Sequence, residues 1–136
     1  MTTPVPTPLL KLPLLLHLLT ETPASLSFLF FPHSQLPSAS PQALLILQNY
    51  GGLLLSTNLI TLIFLLRPNF DSLSALVALS LGSYHIWPIY RAYARLNLAQ
   101  GKRKNEEKIL GGPVVHFWVH VFCLVSLVGS GVFGLG

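Results

Sequence analysis

Residues 43–66 read ALLILQNYGGLLLSTNLITLIFLL, with no Asp, Glu, Lys or Arg from one end to the other. As an α-helix such a stretch rises about 36 Å, more than the roughly 30 Å of a bilayer's hydrocarbon core. Stretches 73–90 and 114–135 are equally free of charge, and each is long enough to cross. A backbone in contact with lipid must satisfy its own hydrogen bonds, and locally it does so only as helix. The sequence therefore predicts an all-α integral membrane protein, a bundle of three transmembrane helices at about 43–66, 73–90 and 114–135. These form one membrane domain over residues 42–136.

Composition agrees. Of 136 residues, 51% are hydrophobic and only 9% charged, against roughly 25% charged in a soluble domain. A chain this short, most of it committed to spans, has no room for a separate soluble catalytic domain. The net charge of +4 does not point to nucleic acid, because Arg91, Arg95, Lys102, Arg103, Lys104 and Lys108 lie together between two apolar stretches. Against these six, the opposite connector carries only Arg67. Positive charge retained on the cytosolic side of a membrane gives this asymmetry. Loop 91–108 is accordingly expected on the cytosolic side, with Gly136 across the membrane; the same charges suit anionic lipid headgroups.

Residues 1–41 differ from the rest. They hold eight of the eleven prolines and two short apolar bursts, 12–19 and 26–31. Joining the bursts would place Glu21 and Pro23 near the bilayer centre, where a carboxylate costs about 2.5–3.5 kcal/mol and proline removes a backbone bond. The preferred expectation is a Pro-interrupted segment, interfacial, re-entrant or partly disordered, with a short helix near residues 8–19. The alternatives are a fourth span or a signal peptide with 12–19 as its apolar core.

Local signals mark the helix boundaries. Arg67-Pro68-Asn69 should end the first span, since proline disfavours helical geometry at the residue before it. Asp71 or Ser72 can cap the second helix, and Pro113 after Gly111-Gly112 suits the first turn of the third. Pro88 removes the amide that would bond the Tyr84 carbonyl, so a kink is expected beside His85. Tyr84, Trp87, Tyr90, Tyr93 and Trp118 match aromatic belts at headgroup level.

Polar side chains gather by depth. At 1.5 Å per residue, Gln48, Asn49, His85, His116 and His120 all stand roughly 8–18 Å in from the same membrane face. They form a candidate polar layer. His116 and His120, at i and i+4, project from one helix face, a spacing compatible with metal. The intervening Glu of a zinc-peptidase motif is missing, and no acidic residue lies inside an expected span. A haem held by His85 and a histidine of the third helix rests only on the histidine count. No metal and no cofactor is expected, and hydrogen bonding between helices is the preferred role.

Small residues provide the packing. Ser126, Ser130 and Gly134 repeat at spacings of four beside Gly129 and Gly131, Ala78 and Gly82 do the same in the second helix, and Gly51-Gly52 with Asn58 mark the first. Such faces let backbones approach closely. The lone Cys123 reads as a small packing residue.

Two functional readings follow. The first is a small multi-pass membrane protein acting as a non-catalytic accessory or scaffold subunit, in contact with lipids and with other membrane chains or a second copy of itself. The alternative is a small membrane enzyme, or a lipid- or haem-binding protein, using the His/Asn/Gln layer near the cytosolic face. A channel would require oligomerisation, because three helices enclose no pore. The short stretch 73–90 suits the thinner endoplasmic-reticulum bilayer or another endomembrane.

Overall fold

The computed structural model describes residues 5–99 and 112–136, and among these it is helical with no strand. Six helices follow in order: α1 Thr7–Phe30, α2 Pro32–Gln35, α3 Pro41–Leu66, α4 Ser72–Tyr84, α5 Ile86–Ala99 and α6 Gly112–Leu135. Three of them, α1, α3 and α6, are long and apolar enough to cross a membrane. The all-α membrane class holds, but its spans are not quite those expected.

The first correction is α1. Where the sequence reading placed a broken or interfacial segment, one continuous 24-residue helix runs through Pro8, Pro13 and Pro23. Pro8 sits in the first turn, where its missing amide has no intrahelical role. The insertion cost invoked against Glu21 applies to a carboxylate facing lipid, and Glu21 is only 2% exposed. The helix buries one continuous face at spacings of three and four: Leu10, Leu14, His17, Glu21, Ser25 and Phe28. That is the period of a packed helix.

The second correction concerns stretch 73–90, which forms two helices. α4 spans about 20 Å and is too short to cross alone. At His85 the backbone stays right-handed (φ −65°, ψ −15°) and its amide bonds to the Gly82 carbonyl three residues back. α5 then starts, and Ile89 N donates to the His85 carbonyl at 3.1 Å. This is the discontinuity that Pro88 predicts, one turn before the proline. α5 continues to Ala99, so Arg91 and Arg95 are exposed helical residues and not part of a loop. Lys102, Arg103, Lys104 and Lys108 lie outside the described residues.

Caps and stops act as their chemistry requires. Asp71 Oδ1 accepts from Ser74 N at 2.9 Å and from Ser74 Oγ at 2.8 Å, capping α4. Ser40 caps α3 by accepting from Ala43 N, with Pro41 in the first turn. Arg67, which precedes Pro68, leaves the helix with extended geometry (φ −61°, ψ 145°), and its guanidinium lies over the Phe64 ring. Gly112 takes φ 76° at the start of α6, a left-handed conformation that glycine adopts without strain.

Contacts divide the chain into two compact units, one of Leu14–Asn69 and one of Phe70–Gly136 with the residues up to Pro13. In the first, α1 and α3 pack antiparallel. Gln48 Nε2 donates to the Leu29 carbonyl, and Asn58 Nδ2 to Thr22 Oγ1. A β-carbon at Gly51 would stand 2.9 Å from Phe28 Cβ and 3.0 Å from the Ser25 carbonyl oxygen, so the helices touch backbone to backbone there. Gln35 of α2 donates to Ser27 Oγ, tying the short helix back to α1.

In the second unit α4 lies antiparallel to α6. Ala75, Ala78, Leu81 and Gly82 are buried on α4, and Cys123, Leu127, Ser130 and Gly131 on α6. A β-carbon at Gly131 would come within 2.9 Å of the Ala75 carbonyl oxygen, one at Gly82 within 3.1 Å of Val128, and one at Gly134 would strike the Phe70 ring. Ser130 Oγ donates to the Leu10 carbonyl. The start of α1 is therefore level with the last turns of α6.

Candidate functional site

The histidines of α6 and the break before α5 meet in the second unit. His85 is brought inward by the discontinuity between α4 and α5, and His120 stands on the buried face of α6 one turn before Cys123. Their Nδ1 atoms lie 2.8 Å apart, within hydrogen-bond distance, and their ring centroids 5.1 Å apart. In such a pair one Nδ1 carries the proton and the other accepts it. Both rings are almost fully buried. Tyr84 stands edge-on to His85.

His116, one turn earlier on α6, is half-buried with its ring centroid 6.0 Å from that of His120. Three of the five expected polar-layer residues are thus neighbours. Gln48 and Asn49 belong to the other unit. There Gln48 is engaged by the Leu29 carbonyl and Asn49 is exposed. Depth along a helix is computed correctly from residue rise, but it does not give the direction in which a side chain points.

The geometry of the histidine pair bears on haem. Two nitrogens on opposite sides of one ion stand roughly 4 Å apart, twice a metal–imidazole bond. At 2.8 Å, His85 and His120 are closed on each other. As they stand, they form an interhelical hydrogen bond and not an axial ligand pair.

The packing residues are placed as follows. Ala78 and Gly82 are buried on α4, Ser130 is buried on α6 with its hydroxyl donating to the Leu10 carbonyl, and Gly134 faces Phe70. Ser126 is half-buried and donates to the Cys123 carbonyl of its own helix. Gly131 makes a closer backbone approach than any of these, and Gly129, beside it, meets nothing within 4 Å.

The sequence reading missed the polar face of α1. His17, Glu21 and Ser25 repeat at spacings of four and are all buried, and ligand-bearing atoms of His17 and Glu21 lie within 4.8 Å of each other. Ionisable side chains inside a membrane helix face protein in general. The spacing was available in the sequence. Glu21 and Pro23, taken singly, argue against a helix that crosses here. Trp87, Tyr90, Tyr93 and Trp118 are exposed, as belt residues should be.

No protein-family model, no curated protein and no solved structure matches this chain.

Proposed function

We propose that this chain is a non-catalytic multi-pass membrane protein, an accessory or scaffold subunit that works by packing against other chains or a second copy of itself. The observation that carries this reading is the His85–His120 pair. Two of the three histidines at the α4–α6 contact hydrogen-bond each other across it, which is a packing use of imidazole. Gln48, Ser126 and Ser130 are likewise engaged by backbone carbonyls. The large apolar side chains at Ile46, Leu53, Ile63, Val125 and Phe133 are turned outward, toward lipid or a partner helix.

The orientation belongs to the same proposal. Charge asymmetry assigns the connector 100–111 and the exposed Arg91 and Arg95 to the cytosolic side. Gly136 then lies opposite, and Leu10 with it, because Ser130 holds the start of α1 at the level of the end of α6. Stretch 73–90, which pointed to a thin endoplasmic-reticulum bilayer, belongs to a helical run over 72–99. Its length therefore no longer argues for one organelle.

Extraction in a mild detergent followed by native mass spectrometry tests the function. The proposal expects a stoichiometric second chain or a second copy. A monodisperse monomer with no co-purifying chain would overturn it.

A further inference from the structure

A groove of about 430 Å³ runs between α1 and α3 inside the Leu14–Asn69 unit. This lies within the roughly 300–1,000 Å³ range of small-molecule sites. Its rim is formed by Leu19, Leu59 and Leu62, all exposed, and Leu18, Leu55 and Pro23 complete its apolar wall. The polar interruption is Asn58 with its neighbour Thr22. Asn58 is 98% buried; Nδ2 donates to Thr22 Oγ1 at 3.3 Å, while Oδ1 has no hydrogen-bond partner among the described residues. Across the groove Pro23 withholds the amide that would otherwise bond the Leu19 carbonyl. The groove is therefore an apolar slot with one buried acceptor, Asn58 Oδ1, that has no partner among the described residues.

We propose that this groove holds a neutral lipid alcohol, a single hydroxyl on an apolar body, with the hydroxyl donating to Asn58 Oδ1. The inference rests on lipid being the solvent around α1 and α3 and does not depend on the accessory-subunit reading. Three observations select the occupant. The rim leucines face the surroundings of two membrane-length helices, so lipid is what reaches the opening. The missing element is a donor, which acyl esters do not have. Asn58 also lies about 7 Å from the midpoint of α3, a depth that a charged headgroup reaches only at high cost and one hydroxyl reaches cheaply once bonded.

The test uses the full-length protein in phosphatidylcholine vesicles with photoactivatable, alkyne-tagged cholesterol and a tagged long-chain prenol, each paired with its methyl ether. The alcohol of at least one pair should label residues 18–23 or 55–62 about fivefold or more over its ether, the ratio that one hydrogen bond supplies. Asn58→Leu, which keeps the volume and removes the acceptor, should bring alcohol and ether together. Leu59→Trp, at the exposed rim where folding is insensitive, should lower labelling by both. Equal labelling by alcohol and ether in both pairs, labelling outside the groove, or crosslinking of the groove to a second copy of the chain would each overturn the proposal.

Discussion

Replacing Gly51 with alanine while making the same change at Gly52 isolates one helix contact. Both residues lie inside α3 and both gain about 1 kcal/mol of helix propensity from the exchange. Their surroundings differ. A β-carbon at 51 meets Phe28 Cβ at 2.9 Å, the Ser25 carbonyl oxygen at 3.0 Å and Leu29 Cγ at 3.1 Å, and two of these three are backbone or β-carbon atoms that no rotamer change removes. At 52 the nearest atom is Leu29 Cδ2 at 4.0 Å, ordinary contact. Overpacking of this kind costs about 1–3 kcal/mol, so Gly51→Ala should fall below Gly52→Ala by that amount, with Gly52→Ala at or above the parent. Thermal unfolding of the three proteins in one detergent, followed by helical circular dichroism, reads the difference as several degrees in Tm. If Gly51→Ala matched or exceeded Gly52→Ala, α1 would not be packed on α3 at this position. The continuous first helix would then be wrong.

The histidine pair makes a parallel claim. His120→Ala removes the partner of the buried His85 Nδ1 and should cost about 1–3 kcal/mol, and a double-mutant cycle of His85→Phe with His120→Phe should return a coupling of roughly 0.6–1.7 kcal/mol; additivity would show no hydrogen bond. Asp71→Ala removes the cap of α4 and should cost about 1 kcal/mol, whereas Asp71→Asn, still an acceptor, should retain most of it. In α6, Gly131→Ala should destabilise by about 1–3 kcal/mol more than Gly129→Ala, since the first meets Ala75 backbone and the second open space. Equal melting of those two variants would refute the α4–α6 contact.

Much of the fold is legible in the residues. Uncharged runs long enough to span give α3 and α6 to within two residues at each end, and Arg67-Pro68, Asp71 and Pro88 mark a stop, a cap and a break by simple stereochemistry. α1 escaped because its signals conflict when counted singly. Pro13, Pro23 and Glu21 each argue against a membrane helix, while the three-and-four spacing of Leu10, Leu14, His17, Glu21, Ser25 and Phe28 argues for one, and burial decides in favour of the spacing. Position along each helix was legible, but the direction of a side chain around it was not. Rise per residue brings His85, His116 and His120 together correctly, yet it also counts Asn49, which faces outward. The unpartnered Asn58 Oδ1 in the α1–α3 groove needs α1 to exist and so was not readable at all.

The side of the membrane on which the chain begins tests the account most directly. In a Cys123→Ser background, single cysteines at Thr3, Ser38, Asn69, Asn105 and Gly136 can be probed with an impermeant maleimide in sealed, oriented vesicles. Thr3→Cys, Asn69→Cys and Gly136→Cys should react from one face, and Ser38→Cys and Asn105→Cys from the other. Reaction of Thr3→Cys and Ser38→Cys from the same face would mean that α1 does not cross, and would contradict a membrane-spanning first helix.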